Sequence, residues 1–345
     1  MRIAAGPLPS LASDHPTAIP ARPDAWPLFL IVTACVTLLP LGIVPWAHHV
    51  APDSQSALQL LVALNFIGAN FHVATTAWFY TDPEMRPHMR AHRLRYFIVP
   101  VALIAGSAAA FEWVPGPLRG WLLFGFLSWQ LWHYQKQNIG LLSFVAAGTG
   151  SGPLSVWERR TLMLSAVAGI LGFFSLNPIG LPSWATEFAW EHRLGGIVYL
   201  LSPILLAITV FKVPALRTNP LRLGFLLLGT AFFLPTYLFD DATSATLGYA
   251  IAHGLQYLVF MSVVAARRRP VVSLVLMAAI GTVGALLLNA AIRAPGLELP
   301  WGNALYGAFI GTVMAHFVLD AGIWRLREPF QRGYMRERFW FVFRR

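Results

Sequence analysis

Cysteine is nearly missing from this chain: Cys35, in the first long apolar stretch, is the single one among 345 residues. That excludes a disulfide framework and any cysteine-rich metal or iron-sulfur site. Charge is scarce too, at 12% of residues, which excludes an ordinary soluble domain. Several short chemical signatures are also missing. There is no HExxH of a zinc intramembrane protease, no GxSxG serine elbow, no P-loop and no CxxCH for covalent haem. The glycine-rich "AAGTGSGP" lacks the lysine that a phosphate cradle needs and reads as a flexible inner loop.

What is present is apolar. Hydrophobic residues make up 57% of the chain and the mean hydropathy is +0.60. Apolar windows bounded by Pro, Gly and charge predict an all-α, polytopic integral membrane bundle of about ten transmembrane helices, at 28–46, 57–80, 96–112, 118–146, 160–176, 194–212, 221–239, 243–265, 271–292 and 302–324. The fourth is the longest, with room for a kink or an interfacial extension after Lys136. Residues 1–27 read as a flexible cytoplasmic tail without the order of a signal peptide, 28–325 as the membrane domain and 326–345 as a basic cytoplasmic tail.

The net charge of +10 has a topological explanation rather than a nucleic-acid one, because the arginines fall in alternate loops. One set contains Arg2 and Arg22, the Arg86 to Arg95 group, Arg159 and Arg160, Lys212 to Arg222, Arg267 to Arg269, and the arginines from Arg325 onward. The other holds only Arg119, Arg193 and Arg293. The positive-inside rule then requires both termini to be cytoplasmic and the number of spans to be even. Trp46, Trp113, Trp184 and Trp301 fall at the expected outer helix ends, where tryptophan anchors to the membrane interface. These features place the chain in a bacterial-type inner (plasma) membrane, with the lipid bilayer as its main partner.

Within this apolar background four histidines stand out. His72, His133, His253 and His316 each lie between apolar turns, in spans that all run from outside to inside. His72 precedes Arg86 by 14 residues, His253 precedes Arg267 by 14, and His316 precedes Arg325 by nine. At 1.5 Å per residue they lie roughly 13 to 21 Å from the basic inner edge, so one layer of the bilayer can contain them. Ionisable groups at such depth cost on the order of 2.5–3.5 kcal/mol when charged, which marks them as candidates for function.

Their helical neighbours strengthen the case. Thr312, His316, Asp320 and Trp324 share one face, as do Asn65, His72 and Thr76; Trp129, His133 and Gln137; and Tyr249, His253 and Gln256 or Tyr257. Each imidazole therefore has a polar group within two turns that can orient it. His15, His48, His49 and His192 fall in the tail or outer loops and read as surface residues.

A shared metal centre is expected, with His72, His133, His253, His316 and Asp320 as ligands and Asp320, Tyr257 and Gln137 as catalytic candidates. Asp320 also has two other readings, an acceptor fixing a histidine tautomer or an ion pair with Arg325 and Arg327. Asn70, Asn138 and Gln256 are candidates to orient water or substrate. Imidazole and carboxylate without thiolate suit non-haem iron. The class expected is a membrane-bound iron oxidoreductase acting on a lipid, isoprenoid or quinone, supplied by an electron donor.

Alternatives stay open. They are a b-type haem protein, an intramembrane zinc hydrolase and a proton-coupled transporter, the last of which fits poorly because polar residues do not recur between the first and last five spans.

In "PHMRAHRLRY" the pair His88 and His92 has HxxxH spacing next to a hydrophobic span. It resembles one histidine box of membrane fatty-acid desaturases and hydroxylases. The resemblance implies a di-iron site, although HxxHH-type boxes do not occur in the chain.

Overall fold

The computed structural model describes residues 25–50, 59, 62–175, 189–239, 242–267 and 269–343. Most of the expected N-terminal tail lies outside these residues, as do Asp53, Trp184, Glu187, Asp240, Asp241 and Arg268. The fold is helical, with no strand among the described residues. We label its principal helices α1 (Ala25–Val50), α2 (62–80), α3 (Met85–Ala91), α4 (Leu94–Trp113), α5 (Gly116–Gly148), α6 (Val156–Ser175), α7 (Ala189–Lys212), α8 (Pro220–Thr230), α9 (Ala242–Ala265), α10 (Pro270–Arg293), α11 (Gly302–Ile323) and α12 (Pro329–Arg338).

Among the described residues six segments are long and apolar enough to cross a membrane: Ala25–Val44, Leu94–Trp113, Leu194–Lys212, Leu247–Ala265, Pro270–Leu297 and Gly302–Ile323. The other four expected spans are helical where described, yet they do not meet that standard. In α5 the run from Gln135 to Asn138 interrupts an otherwise apolar helix. The stretch after α8 breaks into a 3-10 turn, Ala231–Phe233, ahead of Pro235, as the missing proline N–H demands. The segments that fall short include the helices carrying His72 and His133. α5 also runs unbroken to Gly148, so no helix break follows Lys136.

Neighbouring helices pair as α4 with α11, α6 with α7 and α1 with α9, while α10 packs on α2. Lipid-facing positions such as Leu200, Val271 and Leu287 remain 69%, 73% and 66% exposed, as expected of a surface solvated by hydrocarbon. Trp113 and Trp301 are likewise exposed, as interface anchors should be.

One contact sets the centre of the bundle. Gly68 in α2 and Gly254 in α9 bring two backbones together: a Cβ on Gly254 would collide with the Gly68 carbonyl oxygen, and one on Gly68 would lie 2.7 Å from the Ile251 Cα. Only glycine permits this approach. Because His72 is one turn beyond Gly68 and His253 adjoins Gly254, the same contact brings the two imidazoles together.

The basic C-terminal stretch is folded onto the bundle instead of forming a free tail. Phe339 packs against Phe29, Phe144 and Phe260, with ring centroids 5.9, 5.1 and 5.3 Å away. Arg338 reaches Asp82 at 3.1 Å and Glu84 at 3.0 Å, and the Tyr334 hydroxyl donates to Asp82.

A second latch holds the loop between α5 and α6. Buried Arg222 donates to both Glu158 oxygens at 2.7 and 2.8 Å and to the carbonyls of Ser151, Gly152 and Pro153. Glu158 in turn accepts from the Ser155 N–H while the Ser155 hydroxyl accepts from the Glu158 N–H. This reciprocal pair starts α6 as a capping box.

Candidate metal centre

The four intramembrane histidines, from α2, α5, α9 and α11, form a closed cycle. Ring centroids are 5.0 Å apart for His72 and His253, 5.1 Å for His253 and His133, 5.3 Å for His133 and His316, and 5.1 Å for His316 and His72. All four residues are at least nine-tenths buried. The backbone of α2 is irregular here. A π-helical turn, Phe66–Phe71, leads into His72, and a 3-10 turn, Thr76–Tyr80, follows one α-turn later. Such changes of pitch re-aim side chains and recur at functional sites.

Asp320 adds a carboxylate to the cycle. Its Oδ2 lies 3.5 Å from His316 Nε2 and 3.7 Å from His133 Nε2. Arg325 and Arg327, whose pairing with Asp320 was one reading of the sequence, turn to Glu328 at 4.0 and 3.8 Å. Asp320 therefore serves the histidines and not the basic edge.

Two donor sets fall within 4.8 Å: His72, His253 and His316, and His133, His316 and Asp320. Small side-chain rotations bring nitrogens so spaced to the roughly 2 Å of an imidazole–metal bond. The sets share His316, whose Nδ1 is already held by Thr76.

The decisive feature is what the ring nitrogens lack. Nε2 of His72, His133, His253 and His316, and Oδ1 of Asp320, are buried with no hydrogen-bond partner in the protein. At about 1–3 kcal/mol each, the four nitrogens alone sacrifice roughly 4–12 kcal/mol, comparable with the whole stability of a domain. A cation is one partner able to accept the four lone pairs; Nδ1 of His72 and of His253 likewise lack a protein partner.

The surroundings orient the ligands. Thr76 Oγ1 is 2.7 Å from His316 Nδ1 and 2.7 Å from the Tyr257 hydroxyl. With the proton on Nδ1 donated to Thr76, His316 presents an unprotonated Nε2 to the centre. Tyr257 adjoins the rings of His72 and His316 at 5.7 and 5.2 Å, and its hydroxyl faces Asp320. Phe317 stacks on His133 and Tyr134 on His253, each at 4.3 Å.

Gln137 donates to the His253 carbonyl at 2.9 Å and to Gln256 at 2.8 Å, while Gln256 donates to Thr37 at 2.7 Å. Gln137 thus fixes the backbone behind a ligand. Asn138 donates to Gln135, which anchors the Leu162 and Gly229 carbonyls. Asn70 is buried beside His72, and both line a cavity of about 390 Å³.

Some expectations are corrected. The orienting group for His316 is Thr76 on another helix, and Thr312, expected on the same face, bonds its own Ala308 carbonyl instead. His88 and His92 lie apart from the cycle. Their rings are 4.3 Å from each other, but His88 stacks on Phe330 at 4.2 Å, its Nε2 meets Gln331 at 3.1 Å, and His92 is exposed. Neither joins a group of three or more convergent donors among the described residues. Burial, followed by the charges of His92 and Arg95, lowers the His88 pKa below its usual value.

Thr76, Tyr134 and Phe317 contact the ligands without having been singled out for that role. The only sequence signal for Thr76 was its place on the face of His72.

A cleft of about 690 Å³ leads from His133, Asp320, Tyr257 and Gln137 to the basic edge of the bundle. Trp129, Trp132, Phe144, Phe260 and Trp324 line it. No protein-family model, curated protein or solved structure matches the chain.

Proposed function

We propose that this helical membrane protein is a metalloenzyme whose His72, His133, His253 and His316, with Asp320, hold one metal ion, and that it carries out oxidative chemistry on a lipophilic substrate. The observation that carries this reading is the set of four buried Nε2 atoms without protein partners around one point. Nitrogen and carboxylate donors without thiolate favour non-haem iron over softer-ligand centres. When bound, such an ion supplies redox chemistry and an open coordination position.

The chain's own residues do the rest. Thr76 sets the tautomer of His316, Gln137 holds the His253 backbone, and Tyr257 and Asp320 can pass a proton between hydroxyl and carboxylate beside the centre. Phe317, Trp129 and Trp132 exclude water from the inner approach. An apolar molecule enters that cleft from the bilayer, and an electron donor acts from the basic side. The topology belonging to this reading is ten spans with both termini cytoplasmic in a bacterial-type inner membrane.

The closed cycle of touching imidazoles leaves no slot for a flat macrocycle, which favours a bare ion over b-type haem. Zinc with hydrolytic chemistry is the second reading, favoured by the His133, His316 and Asp320 set.

The test is elemental analysis of detergent-purified protein beside His316→Ala. We expect about one equivalent of iron per wild-type chain and none in the variant. Zinc in its place transfers the site to the hydrolytic reading. Folded, metal-free wild-type protein after metal-replete expression rejects the metal centre and leaves a proton relay or a structural role.

A further inference from the structure

The inner cleft carries more information than its apolar walls. Besides the histidine and carboxylate at its deep end, five cationic residues line it: Arg95, Lys136, Arg159, Arg325 and Arg327. Asp320 is the single acidic residue lining it, and it belongs to the centre. Glu328, nearby, pairs with Arg325 and Arg327. Lys136 lies over the Trp132 ring at 5.3 Å and pairs with no carboxylate among the described residues, and the Arg159 side chain is exposed. Burial, then the neighbouring charges of Arg95 and Arg327, lower the Arg325 pKa from its usual value. Loop arginines that serve only topology have no reason to converge on one cleft from three separate segments, the starts of α4 and α6 and the stretch after α11.

The register of α5 links the two ends. Trp129, His133, Lys136 and Gly140 follow one another at helical spacing, so a single stripe runs from the metal layer to the inner edge. Trp129, Lys136 and Gly140 are exposed along it, which leaves the cleft open to the side. A volume of about 690 Å³ lies within the usual range for small-molecule sites.

We infer that this cleft binds an amphiphile with an anionic head group, a carboxylate or phosphate held by Arg95, Lys136, Arg159 and Arg325, with its apolar chain along Trp129, Trp132 and Phe317 toward His133 and Asp320. As a substrate assignment it rests on the function proposed above. As a binding site it stands on the cleft alone. The guanidinium groups recognise the oxygens of the head, and the aromatic wall takes the chain.

The experiment uses full-length protein in a neutral detergent and tryptophan quenching by two brominated probes of equal chain length, dibromostearate and dibromostearyl alcohol. Saturable quenching is expected from both, with the anion bound about tenfold more tightly. Trp132→Phe should remove part of the quenching and so locate the chain. Lys136→Gln/Arg159→Gln, changed at two exposed positions, should erase most of the preference while metal content stays at the wild-type level. Equal binding of the two probes, or a preference untouched by the double variant, overturns the inference.

A brominated phosphatidylglycerol identifies the source. Competition with dibromostearate assigns the head-group site to bilayer lipid, and its absence assigns the site to a free single-chain anion. Metal assayed on the same samples separates the two readings. A preference in metal-free protein keeps the cleft and rejects the metal centre, whereas metal without a preference rejects the cleft alone.

Discussion

Two buried polar clusters in this protein differ in how their hydrogen bonds end. At the Arg222 latch, the guanidinium donates to Glu158 and to three loop carbonyls, and Glu158 also receives the Ser155 N–H. In the histidine cycle, four Nε2 atoms and one carboxylate oxygen stop short of any protein partner. The latch is complete in itself, whereas the cycle leaves these donor atoms unanswered within the protein. Buried polarity by itself does not mark a functional site; what distinguishes the cycle is that its unanswered atoms converge from four helices.

The largest effect that tests this contrast is expected at the latch. Arg222→Ala leaves Glu158 buried without its counter-charge and should cost about 3–5 kcal/mol of stability, read from thermal unfolding in detergent. Metal per folded chain should not change. Loss of metal in protein that remains folded would show that the two clusters are coupled.

At the cycle the sign should depend on metal. In the metal-free state, His253→Leu removes an unpaired buried group and should be neutral or stabilising by about 1–3 kcal/mol, whereas in metal-loaded protein it should destabilise. Unfolding with and without a chelator gives both values. Destabilisation of the metal-free form would mean that His253 is satisfied within the protein, and the comparison would fail.

Thr76→Val sharpens it further, because it touches no metal ligand donor directly but releases His316 Nδ1. Metal affinity should fall about 10–100-fold in competition with a chelator, with the fold intact. Gly254→Ala forces α9 off the Gly68 carbonyl and should cost about 1–3 kcal/mol, lowering metal occupancy through the displaced His253.

The smallest effect is one of pH. Burial alone would raise the Glu158 pKa, but the hydrogen bonds from Arg222 and Ser155 hold it below its ordinary 4.5. A depressed carboxylate stabilises the fold above that ordinary value and loses its contribution as pH falls through the folded value. Wild-type melting should therefore decline below about pH 4.5, and Glu158→Gln should flatten that decline.

Much of the site was legible in the chain, for reasons particular to membranes. A histidine among apolar turns is conspicuous because leucine is so much cheaper there, and outside-to-inside spans convert sequence offset into depth. Hence His72, His133, His253 and His316 could be grouped before any helix was positioned. Asp320 was visible as the residue four beyond His316 but had three readings, and the direction taken by Arg325 and Arg327, toward Glu328, removed the ion-pair one.

Thr76 was hidden because its contact crosses helices, and Gly68 with Gly254 because small residues occur throughout the spans. The Ser155 to Glu158 capping box is a local pattern that reading for membrane spans passed over. His88 and His92 showed the converse: helical spacing made them neighbours, while Phe330 and Gln331, more than 200 positions later, determined what they face.

The sequence by itself determined the solvent of the protein, its helical class and the layer in which its polar residues lie, because hydropathy and rise per residue act along one dimension. It did not determine the azimuth of each helix. Which of Asp320's neighbours would meet it, and that arginines from distant loops would line one cleft, depended on how four helices rotate against one another. That rotation is decided by close contacts such as Gly68 on Gly254, where van der Waals exclusion between backbones permits one approach and forbids the rest.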